Sequence, residues 1–130
     1  MSANEDNISR CVIGCAMAVS NQLGAGFLEN VYENALALEL RENRLVFEQQ
    51  KSLDVFYRNE VVGRYVADFV IADRLILEIK ALGSITSNHE AQLMNYLQAT
   101  GITVGLLLNF GNPRLGVRRI VKSHDDAKPI

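Results

Sequence analysis

Ile8, Cys11, Val12, Cys15, Val19 and Leu23 recur at intervals of three and four, the stripe an amphipathic helix turns toward a core. Gly24-Ala25-Gly26 breaks that pattern. A second helix is predicted from about Leu28 to Asn43, with Leu28, Val31, Ala35 and Leu38 along one side. Leu45 to Gln49 and Leu53 to Tyr57 read as two extended segments, followed by a turn at Arg58-Asn59-Glu60. Val61 to Ile71 and Leu75 to Ala81 are predicted strands, and the short Ala72-Asp73-Arg74 connection forces them into an antiparallel hairpin. A third helix should begin at Ser87, with Glu90 completing a capping box, and end near Thr100 before Gly101. Ile102 to Phe110 carries the continuous apolar centre of a buried strand, and Val117 to Val121 reads as an added edge strand.

The order is helix, helix, antiparallel strands, helix, strand (α-α-β-β-β-α-β). The strand–helix–strand unit from Leu75 to Phe110 should be a right-handed crossover with parallel strands. The expected fold class is therefore α/β, a mixed sheet flanked by helices. At 130 residues the chain suits one domain, with a core over about 8–121 and loose termini.

Within the hairpin, charge interrupts apolar runs in a patterned way. Asp68 breaks Val66-Ala67-Asp68-Phe69-Val70-Ile71; Glu78 and Lys80 break Leu75-Ile76-Leu77-Glu78-Ile79-Lys80-Ala81. With the turn centred on Asp73, Asp68 and Glu78 are equidistant from it and should face each other, about 5 Å apart at the β-carbon. Lys80 shares the face of Glu78, because strand side chains repeat every second residue. Opposed like charges destabilise a sheet unless something binds between them, and a divalent cation suits two carboxylates with open positions for a phosphate. The bland alternative is a half-exposed hairpin with a surface Glu–Lys pair. The apolar setting favours a functional site, since perturbed charges collect there.

Two helices flank this candidate site. His89, Gln92 and Tyr96 share a face of the third helix, either as the rim of a cleft or as boundary residues at the core edge. Glu29 lies in the first turn of the second helix, where the dipole favours a carboxylate, and Tyr32 follows on the same side.

Composition narrows the class of protein without choosing a function. The chain is 48% hydrophobic and 22% charged, ordinary for a globular protein, and no apolar run approaches the ~20 residues of a membrane span. The polar, acidic N-terminus lacks signal-peptide features, and Cys11 and Cys15, four apart on a helix, read as reduced packed thiols. A cytoplasmic setting is expected. A net charge of −2 speaks against nucleic-acid binding by bulk charge alone, and the basic cluster Arg114, Arg118, Arg119 and Lys122 reads first as a solvated edge strand.

Gly26-Phe27-Leu28-Glu29-Asn30-Val31-Tyr32 spells G-x-x-E-x-x-Y. Together with Asp68, Glu78-Ile79-Lys80, His89-Glu90-Ala91-Gln92, Gln92-Leu93-Met94-Asn95-Tyr96 and Leu107-Leu108-Asn109-Phe110-Gly111, it resembles the GxxExxY protein family of the PD-(D/E)xK nuclease superfamily, from about Ile8 to Val121. The resemblance implies a restriction-endonuclease-like sheet and a metal-dependent deoxyribonuclease that hydrolyses phosphodiester bonds. By it, Asp68, Glu78 and the Ile79 carbonyl would ligate Mg²⁺ or Mn²⁺, Glu29 would add an acid, and Lys80 would position or activate water. Gln92 and Tyr96, matching a Q-x-x-x-Y motif, would help hold the nucleic acid, with Tyr32 beside them. Ala67 stands where the motif's name has proline, which carries no chemistry. DNA is the expected partner, no membrane is expected, and a homodimer would let the enzyme reach two strands. The competing expectation is a nuclease-fold module without turnover that binds metal or nucleic acid within a larger complex.

Overall fold

A computed structural model describes residues 5–123. Its elements are α1 (Glu5–Leu23), α2 (Glu29–Glu42), β1 (Phe47–Tyr57), β2 (Glu60–Ile71), β3 (Leu75–Lys80), α3 (Ser87–Thr100), β4 (Val104–Asn109) and β5 (Gly116–Val121). The five strands form one sheet in the order β1-β2-β3-β4-β5, antiparallel throughout except where β3 lies parallel to β4. The helix between those two strands explains the exception, because a parallel neighbour needs a crossover. The mixed, helix-flanked α/β sheet expected from the residue pattern is the one observed, with the edge strand at 116–121 in place.

Each sheet face carries its own core. Val12, Ala16, Tyr32, Leu36 and Leu40 of α1 and α2 pack on Phe69, Leu77, Ile79, Leu106 and Leu108. Leu93, Tyr96 and Leu97 of α3 cover Leu53, Ala67, Val70, Ile76 and Leu107 on the other side. Burial on both faces explains why β3 and β4 read as apolar runs rather than as alternation. No helix among the described residues is long and apolar enough to cross a membrane.

Local details depart from expectation in three places. On α2 the buried side is Tyr32, Leu36, Ala37 and Leu40, whereas Leu28 and Leu38 of the expected side are exposed, because the helix packs its face one position further round. The two extended segments around Gln50 are one strand, β1, paired with β2 along its length. The cap of α3 is formed by Thr86 and His89 rather than by Ser87 and Glu90: each side chain bonds the other's backbone region. Glu90 instead pairs with Arg118 of β5. A carboxylate in a first helical turn serves the dipole equally well while bonded to a neighbouring strand, so the motif alone did not distinguish the two.

The hairpins close as their sequences suggest. Ala72 and Asp73 (φ 52° and 56°) and Arg58 and Asn59 (φ 52° and 66°) occupy left-handed backbone, the geometry of a tight turn that follows the sheet's twist. On the N-terminal side of Phe69, β3 no longer pairs with β2, and β1 and β2 run on to their turn at Arg58-Asn59 as a two-stranded ribbon.

Candidate active site

The site forms where β2 leaves β3. Strict alternation would put Ala67 and Phe69 on one face, yet Ala67 packs under α3 and Phe69 under α1 and α2. The same reversal occurs in β1, where Phe47 faces one layer and Leu53 the other. Both strands therefore change face at Asp68 and its neighbour Gln50. Gln50 takes φ 53°, a left-handed conformation costing a non-glycine residue roughly 1–2 kcal/mol. Non-glycine strain of this kind collects at functional sites.

The expected opposition of Asp68 and Glu78 fits the register, since Phe69 pairs with Leu77 and the next pair outward would be Asp68 with Glu78. There the ladder stops and the side chains replace it. The Asp68 N–H donates to the Glu78 carboxylate at 2.7 Å, and the Ile79 N–H donates to the Asp68 carboxylate at 2.7 Å. Two acids thus interlock across the gap between separating strands, each holding a main-chain donor that lost its partner.

Their setting is costly for negative charge. Glu78 is 5% exposed. Burial, reinforced by the Asp68 charge, pushes its carboxyl up to about 8, against the pull of the Asp68 amide and Lys80. Asp68 is also raised, chiefly by burial, although the Ile79 amide, Gln50 and Lys80 favour its charged form. Glu29, at the start of α2, is raised by burial; the Lys80 charge opposes this, while Asp68 and Glu33 add to it. Asp68, Glu78, Glu29 and Lys80 therefore share one electrostatic neighbourhood at the end of β3. None of the salt bridges among the described residues uses Lys80.

Three participants were not read from the sequence. Gln50 Nε2 donates to Asp68 at 3.1 Å and to both oxygens of Glu33 at 2.9 and 3.0 Å. Gln49 donates to the same Glu33 carboxylate at 2.6 Å. Glu33 lies one turn after Glu29, so the i, i+4 spacing that puts two acids on one helical face was the available signal. The glutamines carried no such signal, because only strand pairing brings them to Asp68.

The aromatic and amide residues divide. Tyr96 is buried, near enough to Glu78 and Asp68 that their charges, after burial itself, push its phenol up to about 12, and its ring lies 5.2 Å from that of Tyr65. Gln92, one turn before it, is exposed, and its side-chain amide makes no hydrogen bond among the described residues. Tyr32 does not fit the substrate contact expected of it. It is 0% exposed, its hydroxyl donates to the Gly24 carbonyl at 2.6 Å and accepts from the Phe27 N–H at 3.1 Å, and its ring stacks on Phe110. A side chain so enclosed holds the turn before Glu29 rather than a ligand.

A second clasp holds the far side of Lys80. The buried Asn109 accepts from the Leu82 and Gly111 amides at 2.9 and 3.0 Å and donates to the Leu82 carbonyl at 3.0 Å. A β-carbon on Gly111 would lie 2.1 Å from the Leu82 oxygen, so glycine is required there. The Asn109-Phe110-Gly111 phrase is therefore a support for the chain leaving β3.

The donor set suits a small hard cation, since Mg²⁺ commonly takes one or two carboxylates and completes its shell with water and phosphate. Asp68, Glu78 and the Ile79 carbonyl match that requirement in kind, and a positive ion would favour the charged forms that burial disfavours in both acids. No three His, Cys, Asp or Glu side chains among the described residues are grouped closely enough to enclose an ion by themselves.

Comparison with known proteins bears on the fold and the family. A similar fold occurs in an alkaline exonuclease (LHK-Exo) from Laribacter hongkongensis: the TM-score is 0.53 at 12% identity, over 96% of this chain and 74% of that one. No curated protein matches the sequence. The family model of the PD-(D/E)XK nuclease superfamily matches residues 6–120. With an acid pair interlocked at a strand divergence and a lysine two residues on, the chain belongs to the PD-(D/E)XK nuclease superfamily.

Proposed function

We propose that this protein is a Mg²⁺- or Mn²⁺-dependent nuclease that hydrolyses phosphodiester bonds in DNA. The observation that carries the reading is the interlock of Asp68 and Glu78, with Lys80 and Glu29 in the same electrostatic neighbourhood. Asp68, Glu78 and the Ile79 carbonyl would hold the ion, and Glu29 would act from the helix side. The ion, when bound, would supply Lewis-acid stabilisation of charge developing on the phosphate. Lys80, whose charge is felt by Glu29, Asp68 and Glu78, would orient the attacking water and offset negative charge. Gln92, exposed on α3, would bond the nucleic-acid strand. A homodimer able to act on two strands belongs to this reading and is checked by analytical ultracentrifugation.

Purified protein with Mn²⁺ should cut DNA, and Lys80→Ala should lower the rate by about 100-fold or more, the scale on which a positioned charge-stabilising donor acts. Asp68→Asn retains an acceptor for the Ile79 amide and so should fold, yet should lose metal binding in titration calorimetry together with cleavage. Undiminished cleavage by both variants would remove the site from consideration. One observation favours a second reading, a module without turnover: both acids already serve main-chain amides, a structural job they would perform without catalysis. Metal binding with no cleavage of single-stranded, duplex or branched DNA would support it.

A further inference from the structure

A groove of about 510 Å³ runs between the outer ribbon of β1 and β2 and the exposed side of α3, lined by Val55, Phe56, Tyr65, Asn95, Gln98 and Ala99. This volume lies within the ~300–1,000 Å³ of small-molecule clefts. Tyr65 links groove to site, because its ring contacts Tyr96, which in turn senses the charges of Glu78 and Asp68. The lining has two chemistries. Phe56 (63% exposed) and Tyr65 (40% exposed) offer aromatic surface, and Asn95 and Gln98 offer paired amide donors and acceptors. None of the six carries a charge, so a phosphate would find no counter-ion in the groove. A flat, neutral, polar-edged ring meets both chemistries: its faces stack on the aromatics and its edge bonds the amides.

We propose that this groove seats one unpaired nucleobase of the strand whose phosphate enters the Asp68–Glu78 site, and that the protein therefore favours single-stranded or frayed DNA over closed duplex. The proposal rests on the nuclease reading for its substrate and goes beyond it in assigning strand preference to residues outside the acid cluster. A paired base cannot enter, since its faces are covered by its neighbours and its edge by its partner. Tyr65 and Phe56 act through stacking, which tolerates any base, so the preference is for strand state rather than sequence. Because the groove is uncharged, its contribution to binding is insensitive to salt, in contrast to contacts with phosphates.

The test is a fluorescence titration in EDTA, where no cleavage occurs, using single-stranded oligonucleotides that carry one 2-aminopurine at successive positions. At one position the wild-type protein should quench the probe. Tyr65→Ala should weaken binding by about 10-fold, within the range measured for a lost base–aromatic stack, and abolish the quenching; Tyr65→Phe should restore both. An abasic nucleotide at that position should bind wild type and Tyr65→Ala equally. Equal weakening of intact and abasic strands by Tyr65→Ala, or quenching at no position, overturns the groove. Quenching without cleavage in Mn²⁺ would retain the groove and discard the nuclease reading; cleavage without quenching at any position would do the reverse.

Discussion

Glu78 is buried with another acid beside it, so it takes up a proton far more readily than a glutamate in water. In the unfolded chain its carboxyl titrates near 4.5, and in the folded chain near 8, so between those values the folded state holds a proton that the unfolded state has released. Its contribution to stability is complete below 4.5 and is lost as pH rises through 8; Asp68 and Glu29 are shifted in the same direction. The metal-free protein should therefore lose thermal stability across that window, measured by calorimetry in EDTA. Glu78→Gln should flatten the slope. Mn²⁺ should reverse it, because a cation favours the deprotonated acids, and binding near neutral pH should release protons, detected as a dependence of calorimetric heat on the buffer. Burial acts in the same direction on Cys15: its thiol is pushed up to about 11, mainly by burial and then by Cys11, which makes it an inert packing residue.

At the scale of elements, the site depends on three segments being held where local preference would not leave them. The turn before α2 is tied to its own helix by Tyr32, whose hydroxyl bonds both Gly24 and Phe27. Tyr32→Phe leaves that amide and carbonyl without their partner and should cost about 1–3 kcal/mol by urea denaturation. The rate of cleavage should also fall, because Glu29 follows the turn, while metal binding through Asp68 and Glu78 should change less. On the other side, Gly111→Ala drives a β-carbon into the Leu82 backbone and should cost at least the ~1–3 kcal/mol of ordinary overpacking, read in the same denaturation. The Gln50–Asp68 reversal is the third segment. Gln50→Gly would relieve the left-handed strain yet remove the amide that bonds Asp68 and Glu33, so cleavage should fall even where stability is retained.

For the molecule as a whole, two cores sandwich one sheet, and the acids lie at the end where β2 turns away from β3. That divergence creates the gap the carboxylates fill, and it also sends the β1–β2 ribbon outward over α3. Site and groove are thus two results of one strand separation. Much of this was legible in advance. Periodicity marked the three helices, and two short turns marked the hairpins. The interruption of apolar strands by Asp68, Glu78 and Lys80 marked the candidate site, and strand pairing brings the two acids together there. Spacing along one strand or across one tight hairpin depends on backbone geometry within a few residues, so a sequence specifies it directly. The bonding of Gln49 and Gln50 to Glu33, the enclosure of Tyr32, the clasp of Asn109 and the exchange of faces at Asp68 were decided only by tertiary structure. Each joins segments far apart in the chain, and which partner a polar side chain satisfies depends on what packing brings beside it.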